Sequence, residues 1–205
     1  MQTSGEAYRE AALALARRYD FEEGHALQDE HLALLLFDET ARLGLHDLNH
    51  VAARESIPGP REILIIAAIL HDIGYWYGYA SHHKHAYKMI MESGLPGVPS
   101  REQKIIALVA RYHRGKQPDA ARHQSFADLP EDDRLLVRQL SSILRFADGL
   151  DRTHTHAVER LECALEGNTL VVKLSPGVGN AAERWAGQKK ARFFEEVFGV
   201  VVTLS

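Results

Sequence analysis

Cysteine is nearly absent from this chain. Cys163 is the single cysteine among 205 residues, so an intrachain disulfide is excluded and a cysteine-based zinc site is not expected. Long apolar runs are also missing, because the longest, residues 63–70, is far shorter than the roughly 20 residues that a membrane-spanning helix needs. The N-terminal MQTSGEAYRE has no apolar segment of the signal-peptide kind. We therefore expect a cytoplasmic protein with no membrane partner.

An excess of positive charge is lacking as well. The net charge is −4 with histidine neutral, so no global basic field would attract nucleic acid, and no strong nucleic-acid signal is present. Hydrophobic residues make up 45% of the chain, which is enough to bury the core of one domain with a small appendage.

Apolar periodicity predicts helices over residues 8–19, 21–43, 61–72, 84–92, 100–112 and 131–149. Pro60 suits the first position of the third helix. Ser100 and Gln103 have the spacing of a capping box. The polar residues 115–130 are predicted to be loop. This part of the chain is expected to be an all-α domain covering residues 1–154.

The pattern changes after about residue 155. Short strand-like runs at residues 158–165 and 169–174 flank a turn, and a helix over residues 181–198 and a strand over residues 200–204 follow. The predicted fold is therefore mainly α, with a small α+β (β-β-α-β) appendage in residues 155–205. Trp185, Phe193 and Phe194 are expected in the core of the appendage.

Histidine is abundant, with 12 residues in the chain. His82, His83 and His85 fall within four positions, shortly after His71, and they are interleaved with apolar and aromatic residues, unlike a tag. Imidazole is the commonest side-chain ligand of transition metals in proteins. The composition therefore suggests metal ligands.

The dipeptide His71-Asp72 ends a helix that is apolar nearly all round. Leu64, Ala67 and Ala68 share the helix face of His71, so we expect the imidazole to point into the core beside a carboxylate. A buried carboxylate without a partner costs several kcal/mol, and a metal ion would offset that cost. Taken alone, the pair favours a core histidine bonded to its neighbouring aspartate over a metal site.

Further helical segments each offer one ligand. His25 shares a face with two leucines, His113 lies on an apolar stripe, His85 opens a short helix, and Asp148 precedes a glycine at a helix end. We predict one site made by His25, His71, Asp72 and Asp148. A second site would use His85 and His113 with Asp72 as a bridge. His82, His83 and His85 are alternatives, of which we prefer His85. One or two divalent transition metals, namely Mn, Fe, Co, Ni or Zn, suit such ligands.

Cationic residues stand near these ligands in the sequence. Lys84, Arg145 and Arg152 are candidate contacts for a phosphate-bearing substrate, and with Asp72 they are our predicted catalytic residues. Ordinary surface charge is the alternative for each cation. Asp151 either supports a metal ligand or is a helix-end carboxylate with a salt partner. The aromatic residues 75–79 either line a base pocket or pack as core.

The order His25, His71-Asp72, Asp148 resembles the HD superfamily of metal-dependent phosphohydrolases, and His85 with His113 matches its dinuclear members. Three stretches are similar to the HD-type C-terminal region of the exopolyphosphatase/guanosine pentaphosphate phosphatase (Ppx/GppA) family: HDIGYWYGYASHHKHAYKMI, LPGVPSREQKIIALVARYHR and LLVRQLSSILRFADGLDRTH. The tail, VERLECALEGNTLVVKLS and WAGQKKARFFEEVFGVVVTL, resembles the end of those proteins. The likeness covers about residues 20–205.

This resemblance implies an HD-domain helical bundle with its own metal chemistry. In the family, exopolyphosphatase activity is attributed to actin-like domains that this sequence does not contain, so that activity is not implied. We expect a metal-dependent phosphohydrolase acting on a phosphate ester or anhydride, with a phosphate-containing small molecule as substrate and metal-bound hydroxide as nucleophile. The alternatives are a non-catalytic HD module that binds nucleotide, polyphosphate or a partner protein, and a di-iron oxygenase. A homodimer is also a possibility.

Overall fold

The computed structural model describes residues 4–48, 58–177 and 180–205. Helices dominate the chain up to residue 150, and a three-stranded sheet with one helix follows. The helices are α1 (Ser4–Ala16), α2 (Glu23–Arg42), α3 (Pro60–Leu70), α4 (His82–Ser93), α5 (Ser100–Tyr112), α6 (Gln124–Ala127), α7 (Glu131–Leu150) and α8 (Ala181–Phe198). Two 3₁₀ segments cover Arg17–Tyr19 and Ile73–Tyr77. The strands are β1 (Arg160–Glu166), β2 (Thr169–Ser175) and β3 (Val201–Leu204).

Helix α3 is the centre of the bundle. Every residue from Ile63 to Leu70 is buried, as expected for a helix that is apolar on all sides. Pro60 is its first residue, which confirms the predicted start. Helices α1, α2, α5 and α7 all pack against it. The polar dipeptide that follows α3 is therefore carried into the interior.

The C-terminal unit has the predicted β-β-α-β order. Strands β1 and β2 form an antiparallel hairpin in which Glu166 pairs with Thr169, and β3 adds to β2 in parallel, with Val201 opposite Thr169. Helix α8 connects β2 to β3, since parallel neighbours need a crossover. The mainly α fold with a small α+β appendage is thus confirmed, and Phe193 and Phe194 are buried as expected.

Helix α8 lies against α7 at unusually close range. A Cβ atom added at Gly149 would lie 3.0 Å from the Cα atom of Gly187 and 3.1 Å from the carbonyl oxygen of Ala186. Only two facing glycines permit this approach. One apolar cluster runs through both parts of the chain, with Leu150 of α7 and Phe194 of α8 as members. The predicted domain boundary at residue 154 stays a prediction, and the core is continuous across it.

The predicted capping box is wrong. Ser100 is the first residue of α5 and not its cap, and the cap position, Pro99, has no side-chain hydrogen bond. The side-chain amide of Gln103 instead donates to the carbonyls of Ile90 and Met91, at 2.8 and 3.1 Å. These are unpaired carbonyls in the last turn of α4, so the tertiary contact replaces the local one. The predicted loop at residues 115–130 also contains the one-turn helix α6.

Among the described residues, no single helix combines the length and the apolarity of a membrane span. One pair of described segments, Pro60–Tyr77 and His82–Ser93, reaches that length and apolarity when the two segments are counted together, but the pair is bent by 110°.

Replacing Gly149 by alanine is expected to destabilise the protein by about 1–3 kcal/mol, because the new methyl group meets backbone that cannot move aside. Urea unfolding followed by circular dichroism measures the change. Gly5→Ala is the matched control, since a Cβ atom there meets only Glu62 Oε1 at 3.6 Å, and no loss is expected. Equal midpoints for Gly149→Ala and the parent protein would contradict the close-packing account.

Candidate metal centre

Two histidines take their orientation from the helix ends on which they lie. His71 follows directly after α3, and His113 follows directly after α5. In each case the ring Nδ1–H donates to the carbonyl three residues earlier, that of Ala68 or Ala110, at 2.6 Å. Because a carbonyl oxygen can only accept, Nδ1 carries a proton and Nε2 is the atom that faces the neighbouring polar groups.

His25 reaches the same region from α2. Its Nδ1–H donates to Asp151 Oδ2 at 2.8 Å, and the other oxygen of Asp151 accepts from the backbone N–H of His156 at 3.0 Å. The ring also stacks on His154, with centroids 3.7 Å apart. A carboxylate on the far nitrogen is the usual means of orienting a metal-ligating imidazole. Of the two roles left open for Asp151, the geometry therefore fits support of a ligand.

Asp72 lies at the centre of these imidazoles. Its Oδ2 atom is 3.3 Å from His71 Nε2 and 3.9 Å from His25 Nε2. Its Oδ1 atom is 3.1 Å from His82 Nε2 and 3.5 Å from His113 Nε2. Each oxygen thus faces a different pair of histidines, which is the arrangement of a carboxylate that can bridge two ions.

Asp29 is a further acidic neighbour that the sequence analysis missed. It is fully buried, and its Oδ2 atom lies 3.4 Å from His71 Nε2 and 3.6 Å from His25 Nε2. The signal was present, because Asp29 follows His25 by four residues and so shares its helix face. Asp148, which was predicted, lies with Oδ1 3.9 Å from His25 Nε2.

These side chains form two overlapping groups that could hold metal ions. Within each group, one nitrogen or oxygen atom per residue lies within 4.8 Å of all the others. The first group is His25, Asp29, His71 and Asp148, and the second is His71, Asp72 and His113. The two groups share His71.

The polar atoms in these groups fit a bound cation. Among the described residues, both carboxylate oxygens of Asp29 and the Nε2 atom of His71 lack a hydrogen-bond partner. Buried polar atoms are rarely left unpaired, and these converge on a common space. Imidazole and carboxylate donors without thiolate suit Mn, Fe, Co, Ni or Zn.

Electrostatics agrees with the geometry. Burial raises the pKa of Asp29 to about 7. Burial alone would lower the pKa of His71, but the charge of Asp72 raises it to about 10. Burial holds the pKa of His113 well below its usual value. Against the effect of burial, the ammonium of Lys190 keeps the pKa of Asp148 below its usual range. Burial therefore sets the direction of the pKa shift for Asp29 and His113, whereas a neighbouring opposite charge outweighs burial for His71 and Asp148.

The structure differs from the sequence analysis in the histidine run, residues 82–85. His82, not His85, lies beside Asp72, and the His85 ring packs on Tyr77 with centroids 5.4 Å apart. The reason is Gly74, where a Cβ atom would lie 2.0 Å from the carbonyl oxygen of His82. The missing side chain lets the first turn of α4 touch the 3₁₀ segment, and this contact brings His82 inward.

The candidate metal centre forms the floor of a cavity of about 530 Å³. Cationic side chains stand on its walls: Arg114, Arg145, Arg152, Lys189 and Lys190. Three aromatic side chains, those of Tyr75, Tyr79 and Trp185, also line it. The cavity thus joins acidic and imidazole ligands below to a ring of positive charge above. This combination suits a ligand that binds metal and carries negative charge.

Two expectations are corrected here. Lys84 is exposed on α4 and is not among the residues that line the cavity. Trp185 is not in the core of the appendage, because it is 66% exposed and stands at the cavity wall. In both cases helical periodicity alone cannot show which face of a helix meets the site. Arg145 and Arg152 do lie at the cavity, as their position around Asp148 suggested.

A comparison with protein families matches residues 9–181 to domain III of the Ppx/GppA phosphatases. The chain belongs to the Ppx/GppA domain III family. The match begins within α1 and covers the rest of the helical bundle together with β1 and β2, so it confirms the suspected relationship. Membership of this family indicates a phosphatase-related function.

If the centre holds metal, His25→Asn should reduce metal binding, because it removes one ligand atom from the first group. At a free ion concentration 100 times the Kd, binding should stabilise the parent protein by about 2.7 kcal/mol. Metal analysis and thermal unfolding with and without Mn²⁺ measure both effects. His31→Asn is the control on the same helix, since His31 is exposed. A parent protein that binds no ion would contradict the centre.

The histidine run gives a second test. His82 is not a member of the second group but lies beside its Asp72, so His82→Asn should weaken binding of an ion there by at least about tenfold, given that even outer partners of metal ligands change affinity by 10–100-fold. His85→Asn should bind like the parent protein, because His85 packs on Tyr77. Calorimetric titration with Mn²⁺ distinguishes the two variants, and the reverse ranking would restore the sequence-based choice of His85.

Proposed function

We propose that this chain is a metal-dependent phosphohydrolase of the HD type that acts on a phosphate ester or anhydride. The observation that carries the proposal is the pair of overlapping ligand groups beneath a ring of five cationic side chains. A phosphate group needs both, since its oxygens bind metal and its negative charge needs neutralising donors. Membership of a phosphatase family supports the same reaction class.

The residues of the centre divide between two positions. His25, Asp29, His71 and Asp148 would hold one divalent ion, and His82 and His113 would hold a second, with Asp72 between the two positions. When bound, such ions supply polarisation of a phosphoryl oxygen and activation of water at neutral pH. The imidazoles need no further orientation, because each Nδ1 atom already has a partner: Asp151, Ala68, Tyr79 or Ala110.

The cationic side chains would bind and orient the phosphate. Arg145 donates from Nη2 to the carbonyl of Gly115 at 2.7 Å, whereas its buried Nη1 atom has no hydrogen-bond partner among the described residues. That donor is therefore available to an oxygen in the cavity. Arg114 lies with Nη1 3.3 Å from His82 Nε2, and Arg152 stands on the same wall. Planar guanidinium groups match phosphate oxygens two at a time.

The proposed substrate is a phosphate-containing small molecule, either a nucleotide or a polyphosphate-like anion. A non-catalytic module that binds the same molecule is the competing function. The two differ only in turnover, so activity and binding have to be measured on the same preparation.

Asp72→Asn is expected to lower phosphohydrolase activity by about 100-fold or more, because it removes the carboxylate charge between the two proposed metal positions. The assay is phosphate release from nucleotides, cyclic dinucleotides and phosphomonoesters with added Mn²⁺. Lys88→Gln, at an exposed position on α4, should match the parent protein. Activity that survives in Asp72→Asn would assign the reaction to a contaminant. Tight metal and nucleotide binding without turnover would support the non-catalytic module.

A further inference from the structure

A second cavity of about 660 Å³ continues from the candidate metal centre over the outer face of α8. Trp185 and Lys189 line both cavities. The second is completed by Arg184, Gln188, Arg192, Glu195 and Leu204. The two cavities are therefore adjacent, and together they outline a path from the metal ligands along the exposed face of α8.

The path has the residue types that bind single-stranded nucleic acid. Trp185, Lys189 and Arg192 are spaced i, i+4 and i+7, so they lie along one helix face over about 10 Å. The indole of Trp185 is 66% exposed, with the Lys189 ammonium 5.2 Å from its ring centroid. An exposed aromatic ring beside cations offers a stacking surface for a base, and the cations offer positive charge for the phosphates of the nucleic-acid backbone.

The acidic residue that lines the groove, Glu195, already has a hydrogen-bond partner. Glu195 Oε1 accepts the backbone N–H of Val202 at 2.8 Å. Arg184 is engaged too, with Asn180 Oδ1 and the carbonyl of Gly177. Lys189 and Arg192 are the cations of the groove for which neither a hydrogen bond nor an ion pair is observed among the described residues. An inorganic polyphosphate chain would use these cations but would have no use for the indole ring.

We propose that the groove over α8, formed by Trp185, Gln188, Lys189 and Arg192, holds the extension of a short single-stranded oligonucleotide whose terminal phosphate lies at the candidate metal centre. A base stacks on Trp185, and the next phosphates lie beside Lys189 and Arg192. This inference rests on the proposed function for the location of the reacting phosphate. It goes further in naming the substrate class and the residues that select it.

Binding without turnover tests the groove. Fluorescence anisotropy with end-labelled oligothymidylates of two, four and six nucleotides is measured in a chelator, so that hydrolysis does not interfere. Affinity should increase with length. Trp185→Ala should weaken binding of the hexamer about tenfold, as expected for the loss of one stacked base, and Trp185→Phe should restore most of it. Arg192→Gln should weaken binding of the hexamer more than binding of the dinucleotide, and it should reduce the salt dependence of hexamer binding.

Trp76→Ala is the matched control, because Trp76 is the other tryptophan, is 57% exposed and lies outside both cavities. It should bind like the parent protein. Binding that is independent of length, or equal in Trp185→Ala and the parent, would overturn the inference. So would binding of inorganic polyphosphate but not of oligonucleotides.

The inference and the proposed function fail in different ways. Release of nitrophenol from bis(p-nitrophenyl) phosphate with Mn²⁺ depends on the metal centre and needs no groove. Hydrolysis of this ester with no oligonucleotide binding would overturn the groove alone. Length-dependent binding that requires Trp185, with no hydrolysis of any ester, would overturn the phosphohydrolase alone.

Discussion

Three carboxylates and four imidazoles share a largely buried space at the end of α3, the most apolar of the described helices, and the rest of the structure depends on how that space is held. Asp29 and His71 are fully buried. Charge in such a place is costly unless a partner compensates it. The polar groups stay there because the helix ends that carry them are fixed by apolar contacts on every other side. The burial of the apolar core thus offsets the free energy that it costs to bury these polar groups.

Helix α8 makes the C-terminal unit part of the site. Its glycine contact with α7 brings Lys190 to Asp148 and puts Trp185 and Lys189 on the cavity wall. The bundle alone would provide the metal ligands and the three arginines, but one side of the cavity would be missing. The bundle and the C-terminal unit therefore build this cavity together, on both sides of the predicted boundary at residue 154.

Much of the fold, and the meeting of most candidate ligands in one place, could be predicted from the sequence, because both depend on local periodicity. The bounds of α5 and α8 agree with the structure, and the predicted metal ligands on α2, α3, α5 and α7 come together. The errors concern tertiary contacts. His82 replaces His85 because a glycine elsewhere lets two segments touch, and Gln103 turns from its own helix end to that of α4. Only Asp29 was missed despite a local signal, its spacing of four residues from His25.

Opposite charges at this site are only partly paired with one another. Among the described residues, both oxygens of Asp29 and one buried nitrogen of Arg145 have no hydrogen-bond partner, and no ion pair joins these two residues. Of the cations on the cavity wall, Lys190 is the one that meets a carboxylate of the centre, that of Asp148. A site built for stability would pair these groups, because an unpaired buried charge is destabilising. Their separation leaves room for two occupants of opposite sign, a cation on the carboxylates and an anion on the guanidinium groups. A metal ion with a phosphate ligand meets both requirements at once.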